Sequence, residues 1–393
     1  TAALVCRDIA TGTVKWFFKY PRAYYETSNF IIIGDHVIVQ SSAGLEGEAT
    51  SSVGSIYKIN WRTSSGLATP EKTLTGIPGT LTDYPAAGYD AYAGASGVTS
   101  LVYDSGAIFT LGSNGMVYCF DFDLNPVWSY HTNGRAYYSA PVVYNNLLFA
   151  GMLDGHLYIL DKNLGTLKTD IEVYQADYKG DIIGSVTMPS IVESDGKYYI
   201  FCTFSDGRGM SAQLYGNALY EYDGESDVKT IVEPKDRGYG SLGRMTAVET
   251  GDFKGAYFEG NKKLFRMNLN GNISILNKDV NTSHSYLVLI NGDKLAATSY
   301  TKGTALMEFD LEGNIIGKYL EGEKYQHYCM AGLTVFNGGF IYGNDSSVIS
   351  IRGGFGDGSP DPIPEQGLAP WQVLLIVLGA LAIILTLAYV GMR

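Results

Sequence analysis

The side chains best suited to bind a ligand occur in a short motif that the chain uses twice. Arg22-Ala-Tyr-Tyr25 and Arg135-Ala-Tyr-Tyr138 each lie just ahead of a predicted strand. Tyrosine rings stack on sugars and peptides, and arginine donates charge-assisted hydrogen bonds to acidic groups. With arginine and histidine from later segments, they form a candidate site for a sugar, a peptide or an acidic group: Arg22, Tyr24, Tyr25, Arg135, Tyr137, Tyr138, Arg244, His284 and His327. The alternative is a repeated fold that reuses one loop, with its tyrosines packed between sheets.

Motifs that carry catalytic chemistry are missing or lie in the wrong context. Gly238-Tyr-Gly240-Ser-Leu-Gly243 has the spacing of a dinucleotide-binding fingerprint, which works only between a strand and a helix. Here two further predicted strands follow, so a loop is the better interpretation. The sequence contains no GxSxG nucleophile elbow, and its five histidines are scattered. We therefore predict no catalytic residue and a protein that is not an enzyme.

Cysteines and acidic turns likewise give no metal site. The four cysteines include no CxxC pair and no histidine at zinc spacing: Cys6, Cys119, Cys202 and Cys329. The acidic turns at 223–227 and 357–361 lack the oxygen-ligand spacing of a calcium loop. We predict neither a metal nor another cofactor. Cys6 and Cys329 both fall in segments assigned below to ring closure, so a disulfide between them and two buried free thiols are alternatives.

The elements that must position the candidate residues are short antiparallel strands. Residues 139–173 contain four of them, predicted at 141–144, 147–151, 156–160 and 166–172. Asn-Asn, Asp-Gly and Lys-Asn-Leu-Gly separate these strands, and such residues favour the tight turns of hairpins. A single four-stranded sheet of this size cannot bury both of its faces, so it requires neighbouring sheets of the same kind.

A repeat that runs along the chain supplies those neighbours. Its marker is a strand of alternating apolar residues that ends on aspartate or asparagine, whose short side chain can accept hydrogen bonds from turn amides two residues on. Seven such residues recur at intervals of 40 to 62 residues: Asp8, Asn60, Asp121, Asp161, Asp223, Asn268 and Asp310. This spacing brackets one four-stranded blade of a β-propeller. No segment before the C-terminus shows a sustained helical period, so we predict an all-β fold.

The two ends of the chain carry complementary partial blades. After Asp310 the sequence predicts two strands within 332–343 and a short third at 348–351. The start of the chain predicts only a third and a fourth strand, at 3–8 and 13–20. We therefore predict a seven-bladed β-propeller closed by pairing of the N- and C-terminal strands, with eight blades as the alternative. In such a ring the loops between blades gather around one axial mouth, which would bring the candidate ligand-binding residues together.

The first repeat also carries a family resemblance. CRDIATGTVKW at 6–16 resembles the D-x-x-T-G-x-x-x-W repeat of propellers similar to pyrroloquinoline-quinone (PQQ) dehydrogenases and to the outer-membrane-assembly lipoprotein BamB. In that family the tryptophan packs between adjacent blades, and Trp16 and Trp128 match its position. As a repeat pattern the resemblance extends over residues 1–352, with detailed agreement at 6–16. It implies a PQQ-like or BamB-like propeller.

The same resemblance implies an alternative function, which is quinone- or calcium-dependent oxidation. Such dehydrogenases hold the quinone, a Ca²⁺ ion and a catalytic carboxylate in the axial funnel, and many place adjacent cysteines beside the quinone. This sequence has no vicinal cysteine pair, and the family's calcium and quinone ligands cannot be placed on it residue by residue. We therefore expect the fold to be kept without that chemistry.

Charge balance and the C-terminal segment indicate where the protein acts. With 40 acidic and 28 basic residues the net charge is −12, which argues against a nucleic acid as partner. Residues 371–391 contain no charged side chain and as a helix would span roughly 31 Å, the thickness of a bilayer core. We predict a single-pass transmembrane anchor there, a Gly- and Pro-rich acidic linker at 353–370 and a cytoplasmic end at 392–393. This topology places the propeller, residues 1–352, outside the cell.

Two further features agree with an extracellular propeller. The chain begins at Thr1 rather than Met, as expected if a secretory signal has been removed or left out. Three sequons would allow surface glycosylation: Asn272, Asn281 and Asn344. The predicted function is a non-enzymatic scaffold on the cell membrane, a subunit of a membrane or cell-envelope complex whose partners are other membrane or envelope proteins. A glycan- or peptide-binding receptor that uses the axial mouth is the alternative.

Overall fold

The protein is described by a computed structural model, in which strands are the regular elements. The described residues are 3–8, 12–20, 27–41, 55–75, 100–112, 115–134, 136, 139–178, 181–183, 185–206, 215–236, 244–250, 253–260, 262–280, 287–298, 304–321, 333–336, 339–343 and 348–352. All the regular secondary-structure elements within these residues are strands, which confirms the predicted all-β fold. They include no helix of the length and apolarity that a membrane crossing needs. The linker and the anchor predicted at 353–391 lie outside them.

The described residues fall into two compact units. The first is built on Phe18–Arg244, and the second combines Leu4–Phe17 with the described residues from Met245 onward. Each unit consists of small antiparallel sheets, and in most of them strands adjacent in sequence are also adjacent in the sheet. This is the meander order that short hairpin turns impose.

The first unit contains four such sheets, numbered here in chain order. Sheet 1 consists of Thr27–Ile33, His36–Ser41, Ser55–Asn60 and Lys72–Thr75. Sheet 2 consists of Val102–Asp104, Ala107–Leu111, Met116–Asp121 and Pro126–His131. Sheet 3 consists of Val142–Tyr144, Leu147–Gly151, His156–Asp161 and Leu167–Glu172. Sheet 4 consists of Ser185–Val186, Ser190–Ser194, Lys197–Ser205, Tyr215–Tyr222 and Val228–Asp236. Shorter strands complete the unit: Gly66–Leu67, Ala176–Tyr178 and Asp181–Ile183.

The second unit contains two complete sheets and the strands near the chain ends. Sheet 5 consists of Thr246–Thr250, Phe253–Gly260, Lys263–Asn268 and Ile273–Asn277. Sheet 6 consists of Val288–Ile290, Lys294–Thr298, Thr304–Asp310 and Ile315–Glu321. The N-terminal strands are Ala3–Arg7 and Val14–Lys19. The C-terminal sheet consists of Thr334–Phe336, Gly339–Gly343 and Val348–Arg352.

The core lies between successive sheets, so the inner strands are apolar on both faces. In sheet 3, Leu147 and Phe149 pack into the cluster shared with sheet 4, whereas Leu148 and Ala150 pack into the cluster shared with sheet 2. Alternate residues of a strand point to opposite faces, so a strand covered on both sides reads as a continuous apolar run. Sheet 3 is therefore covered on both faces by neighbouring sheets, which a four-stranded sheet of this size needs in order to bury its apolar residues.

The turns after the third strands form as the sequence predicts. Asn60 Oδ1 accepts the amide of Arg62 at 3.1 Å, and Asp161 Oδ1 accepts the amide of Asn163 at 2.9 Å. Asp223 Oδ1 accepts the amides of residues 225, 226 and 227 at 2.8 to 3.0 Å. These bonds confirm for the three turns that the recurring Asp or Asn accepts turn amides and fixes the hairpin. They also lower the pKa of Asp223, most strongly through the Glu225 amide.

A β-bulge recurs in the outermost ladder of five of these sheets. In sheet 2, Phe120 pairs with Pro126 and Cys119 pairs with Trp128, so Val127 is one residue in excess. The corresponding extra residues of sheets 3 to 6 are Lys168, Ile231, Leu276 and Ile316. A bulge twists an edge strand and interrupts its ladder, which disfavours pairing with the edge of another chain.

Side chains of one sheet contact the turn between the third and fourth strands of the next sheet. Trp128 Nε1 donates to the carbonyl of Lys162 at 3.1 Å, and the indole lies directly against Gly165. In the second unit Leu276 lies against Gly313 in the corresponding way. Trp16, the other tryptophan of the predicted repeat, is also buried.

The ends of the chain differ in part from the predicted shared blade. Three strands form near the C-terminus and two near the N-terminus, and within the described residues they belong to separate sheets. Residues 4–17 nevertheless group with the unit that contains the C-terminal sheet, as a closed ring requires. Ring closure and the choice between seven and eight blades therefore stay predictions. Cys6 carries a free thiol, contrary to the disulfide alternative, and Cys329 lies outside the described residues.

Candidate functional site

One of the predicted ligand-binding residues is placed by the structure. Arg244 lies beside the connection between the first two strands of sheet 4, with its Nη1 directed at the Sδ of Met188 at 3.7 Å. The ligand-binding role predicted for it stays a prediction. The other eight lie outside the described residues: Arg22, Tyr24, Tyr25, Arg135, Tyr137, Tyr138, His284 and His327. Of the sequons, Asn272 is exposed in the turn after the third strand of sheet 5, and Asn281 and Asn344 lie outside.

The first unit builds a polar cluster that the sequence did not predict, at one end of sheet 3. Because neighbouring strands are antiparallel, the loop from sheet 2 and the connection between the second and third strands of sheet 3 emerge at the same end. The amide of Asn133 in that loop donates to the hydroxyl of Tyr158 at 3.1 Å. Gly134 lies so close to Asp154 that a Cβ there would be 2.5 Å from the carboxyl carbon. We call this group the Asp154 cluster, and its members are Asn133, Gly134, Asp154, His156, Tyr158, Asp170 and Gln175.

Asp154 is the central charged group of the cluster. The Tyr158 hydroxyl donates to Asp154 Oδ2 at 2.6 Å, and the His156 amide donates to Oδ1 at 3.2 Å. Burial raises the pKa of Asp154, and the hydrogen bond from Tyr158 offsets part of that rise. The pKa of Tyr158 is raised as well, first by burial and then by this bond. No Lys or Arg of the described residues forms an ion pair with Asp154.

His156 is fixed at both ring nitrogens. Its Nδ1 lies 2.8 Å from Asp170 Oδ2, and its Nε2 lies 3.1 Å from Gln175 Nε2. Because an amide nitrogen only donates, Nε2 accepts from Gln175 and Nδ1 carries the proton that it donates to Asp170. The imidazole is therefore held in one tautomer, with its proton directed away from Asp154.

Aromatic rings form one side of the cluster. The Tyr158 ring centroid is 6.0 Å from that of His156 and 6.4 Å from that of Tyr130. Tyr174, whose carbonyl touches Gly155, stacks on Phe204 of sheet 4 with 4.8 Å between centroids. A partly desolvated carboxylate beside aromatic faces is a combination that favours cations.

The adjacent end of sheet 4 contains a second set of buried polar groups. The hydroxyls of Thr187 and Thr203 are hydrogen-bonded to each other, and Thr203 is the Cα partner of Asn217. Asn217 is fully buried, and neither atom of its side-chain amide has a hydrogen-bond partner among the described residues. Met152 O accepts the Val186 amide at 3.1 Å, which connects this set to the strand end that precedes Asp154.

Metal ligands and nucleophiles are not assembled in the part of the chain that the structure describes. It contains no group of three His, Cys, Asp or Glu side chains that could hold a metal ion. Burial raises the pKa of Cys119 to about 11 and raises that of Cys202 further, so both thiols stay protonated at neutral pH. The acidic turn at 223–227 uses its Asp223 carboxylate to accept backbone amides.

Comparisons with known proteins identify the fold. No protein-family model matches the sequence, and no curated protein matches it. BamB from Moraxella catarrhalis is similar in structure, with a TM-score of 0.55 and 14% identity over 88% of this chain and 90% of that one. A europium-containing methanol dehydrogenase is similar with a TM-score of 0.53 and 10% identity, over 85% of this chain and 78% of that one. The chain therefore has the β-propeller fold of these two proteins.

Proposed function

We propose that this protein is a non-enzymatic interaction scaffold, a propeller that presents its loops to other membrane or envelope proteins. The sequence adds the anchor at 371–391 and the linker at 353–370, which would hold residues 1–352 at the outer surface of the cell membrane. The likeness to BamB supports the propeller that such a role uses, and the role itself is our inference.

The observation that carries the proposal is the hydrogen bonding of the side chains in the Asp154 cluster. Both ring nitrogens of His156 are hydrogen-bonded within the protein, and the Tyr158 hydroxyl donates to Asp154. Such side chains are oriented to hold a bound group, since a general base would need a free nitrogen within reach of the substrate proton. The cluster also lies where an inter-sheet loop meets a sheet end, which is where a propeller offers surface to partners.

The repeated bulge favours docking through loops over docking through strands. Five outermost ladders carry an extra residue, which disturbs the regular row of backbone groups that strand addition requires. A partner would therefore contact the connections between strands.

Native purification tests the proposal. The tagged full-length chain, extracted in mild detergent after brief crosslinking, is expected to bring down defined membrane or envelope proteins. Carbonate washing should leave the full chain in the membrane fraction and release a variant that lacks residues 371–391. Recovery of the protein alone would contradict the scaffold, and release of the full chain by carbonate would contradict the anchor.

Quinone-dependent oxidation is the second candidate, because a methanol dehydrogenase shares the fold. The observation in its favour is Asp154, a carboxylate with a raised pKa beside a sheet end. Purified protein supplied with PQQ and either Ca²⁺ or a lanthanide would then oxidise alcohols in a dye-linked assay, and Asp154→Asn would abolish the activity. Under the scaffold proposal no such turnover occurs.

A further inference from the structure

Asp154 is a half-buried carboxylate with which no Lys or Arg of the described residues forms an ion pair. Asp104 is paired with Lys162 at 2.6 Å, and Asp123 is paired with Lys58 at 2.8 Å. Asp154 is half-buried, yet its two protein donors, a hydroxyl and an amide, are neutral. An anion that is desolvated without a counter-charge is unfavourable, so a cation that reaches it would be held strongly.

We propose that the Asp154 cluster is a binding subsite for the guanidinium group of an arginine side chain on a partner protein. This inference rests on the proposed scaffold function and names the chemistry by which one loop of the partner would be recognised. It also differs from the sequence expectation of an acidic ligand, since the charge that the described residues present at this sheet end is negative.

The hydrogen-bond geometry favours a planar, two-pronged cation. Each oxygen of the Asp154 carboxylate accepts one bond from the protein, Oδ1 from the His156 amide and Oδ2 from the Tyr158 hydroxyl. A carboxylate has about two acceptor directions on each oxygen, so one direction is left on each. Two parallel N–H groups of a guanidinium fit that pattern, whereas an ammonium group binds as a point charge.

The rest of the cluster suits the same ligand. The partly exposed ring of Tyr130, 6.4 Å from the buried ring of Tyr158, offers a flat face on which a guanidinium can stack. His156 and Gln175 hold each other and Asp170, so the wall of the subsite is already ordered before a ligand arrives. The net charge of −12 would draw a basic loop toward the protein and speed the encounter.

The experiment is a peptide titration on the full-length chain in mild detergent. Fluorescein-labelled hexaarginine is the probe, with hexalysine and the neutral isostere hexacitrulline as comparisons, followed by fluorescence polarisation at physiological salt. Asp154→Asn is expected to weaken hexaarginine binding about tenfold or more. Asp195→Asn makes the same change of net charge in an exposed hairpin turn and should leave binding unchanged. Hexalysine should bind more weakly than hexaarginine, and hexacitrulline should not bind.

A variant that leaves the net charge unchanged tests whether hexaarginine binding depends on the geometry of the subsite and not on charge alone. Gly134→Ala places a methyl group 2.5 Å from the Asp154 carboxyl carbon and must displace it, so binding should fall although the net charge is unchanged. Gly196→Ala is the matched control, because a Cβ there meets nothing within 4 Å. Asp154→Asn should melt no lower than Asp195→Asn at pH 7. A carboxyl whose folded pKa is raised costs stability above its unfolded pKa, and the amide removes that cost.

The outcomes separate the subsite from the scaffold. The guanidinium subsite would be overturned if the Asp154→Asn and Asp195→Asn variants bound hexaarginine equally well. It would also be overturned if the wild-type chain did not bind hexaarginine. Partner proteins that still co-purify with the Asp154→Asn variant would leave the scaffold standing and remove the subsite from it. Failure of all partners to co-purify, with hexaarginine binding intact, would remove the scaffold alone.

Discussion

Gly165 offers the sharpest test of how successive sheets are held together. It lies in the turn after the third strand of sheet 3, at a φ of +68°, with the Trp128 indole of sheet 2 directly above it. A Cβ at this position would be 2.5 Å from Cδ2 of that ring. Gly165→Ala therefore imposes two separate penalties, one on the backbone and one on the contact between the sheets.

The two penalties can be estimated separately. Alanine in the left-handed region costs roughly 1–2 kcal/mol relative to glycine. Forcing a methyl group into a packed contact with a rigid ring costs about 1–3 kcal/mol more. Gly196 has a φ of +72° and open space around it, so Gly196→Ala measures the backbone penalty alone. The difference between the two variants, about 1–3 kcal/mol, is the contribution of the Trp128 contact.

Thermal melting of the full-length chain is the assay. A difference of 1 kcal/mol shifts the melting temperature by about 2–4 °C for a domain of 150–250 residues, so the two glycine variants should be clearly separated. In a Trp128→Leu background the additional cost of Gly165→Ala should largely vanish. Equal destabilisation by the two glycine variants, or an unchanged difference in the Trp128→Leu background, would refute the contact as the source.

Two further predictions concern polar side chains. The hydrogen bond from Lys162 lowers the pKa of Asp104, so their pairing stabilises the fold above the unfolded pKa of about 4 and is lost as the pH falls through the lower, folded value. Lys162→Met should therefore lower the melting temperature at pH 7 and change it little at pH 2, while Lys168→Met, at an exposed pair, should have no effect at either pH. Tyr319→Phe removes the hydroxyl that donates to the buried Glu308 at 2.6 Å and should cost about 1–3 kcal/mol in urea unfolding; an unchanged midpoint would show that Glu308 finds another donor.

Much of the fold could be predicted because its determinants are local. The strand Leu147–Gly151 has the bounds that the sequence predicts, and the other three strands of sheet 3 differ by one residue at an end. Alternation of apolar residues and an Asp or Asn at the turn both act within a few residues, so the pattern can be found without knowing the neighbours. Ring closure depends on residues far apart in the sequence, and no local pattern determines it.

The Asp154 cluster was missed for a related reason. In the sequence Asp154 is half of an Asp-Gly pair, which is also what an ordinary hairpin turn requires. Beside its local bonds from the Tyr158 hydroxyl and the His156 amide, Asp154 contacts Gly134, and that contact forms only when two connections meet at one sheet end. A signal was present in the glycines, since Gly134 and Gly155 both stand where a Cβ would collide with a neighbour.

The extra residue in the outer ladder of sheet 2 also decides which seam the indole fills. With Val127 in excess, Trp128 stands opposite Cys119 and turns toward sheet 3. A regular ladder over the same residues would instead pair Cys119 with Val127 and Tyr118 with Trp128, on the face that packs against sheet 1. Loss of the bulge without loss of a residue would empty one seam and crowd the other, whereas deletion of Val127 would keep Trp128 opposite Cys119, so the bulge itself decides where the indole packs.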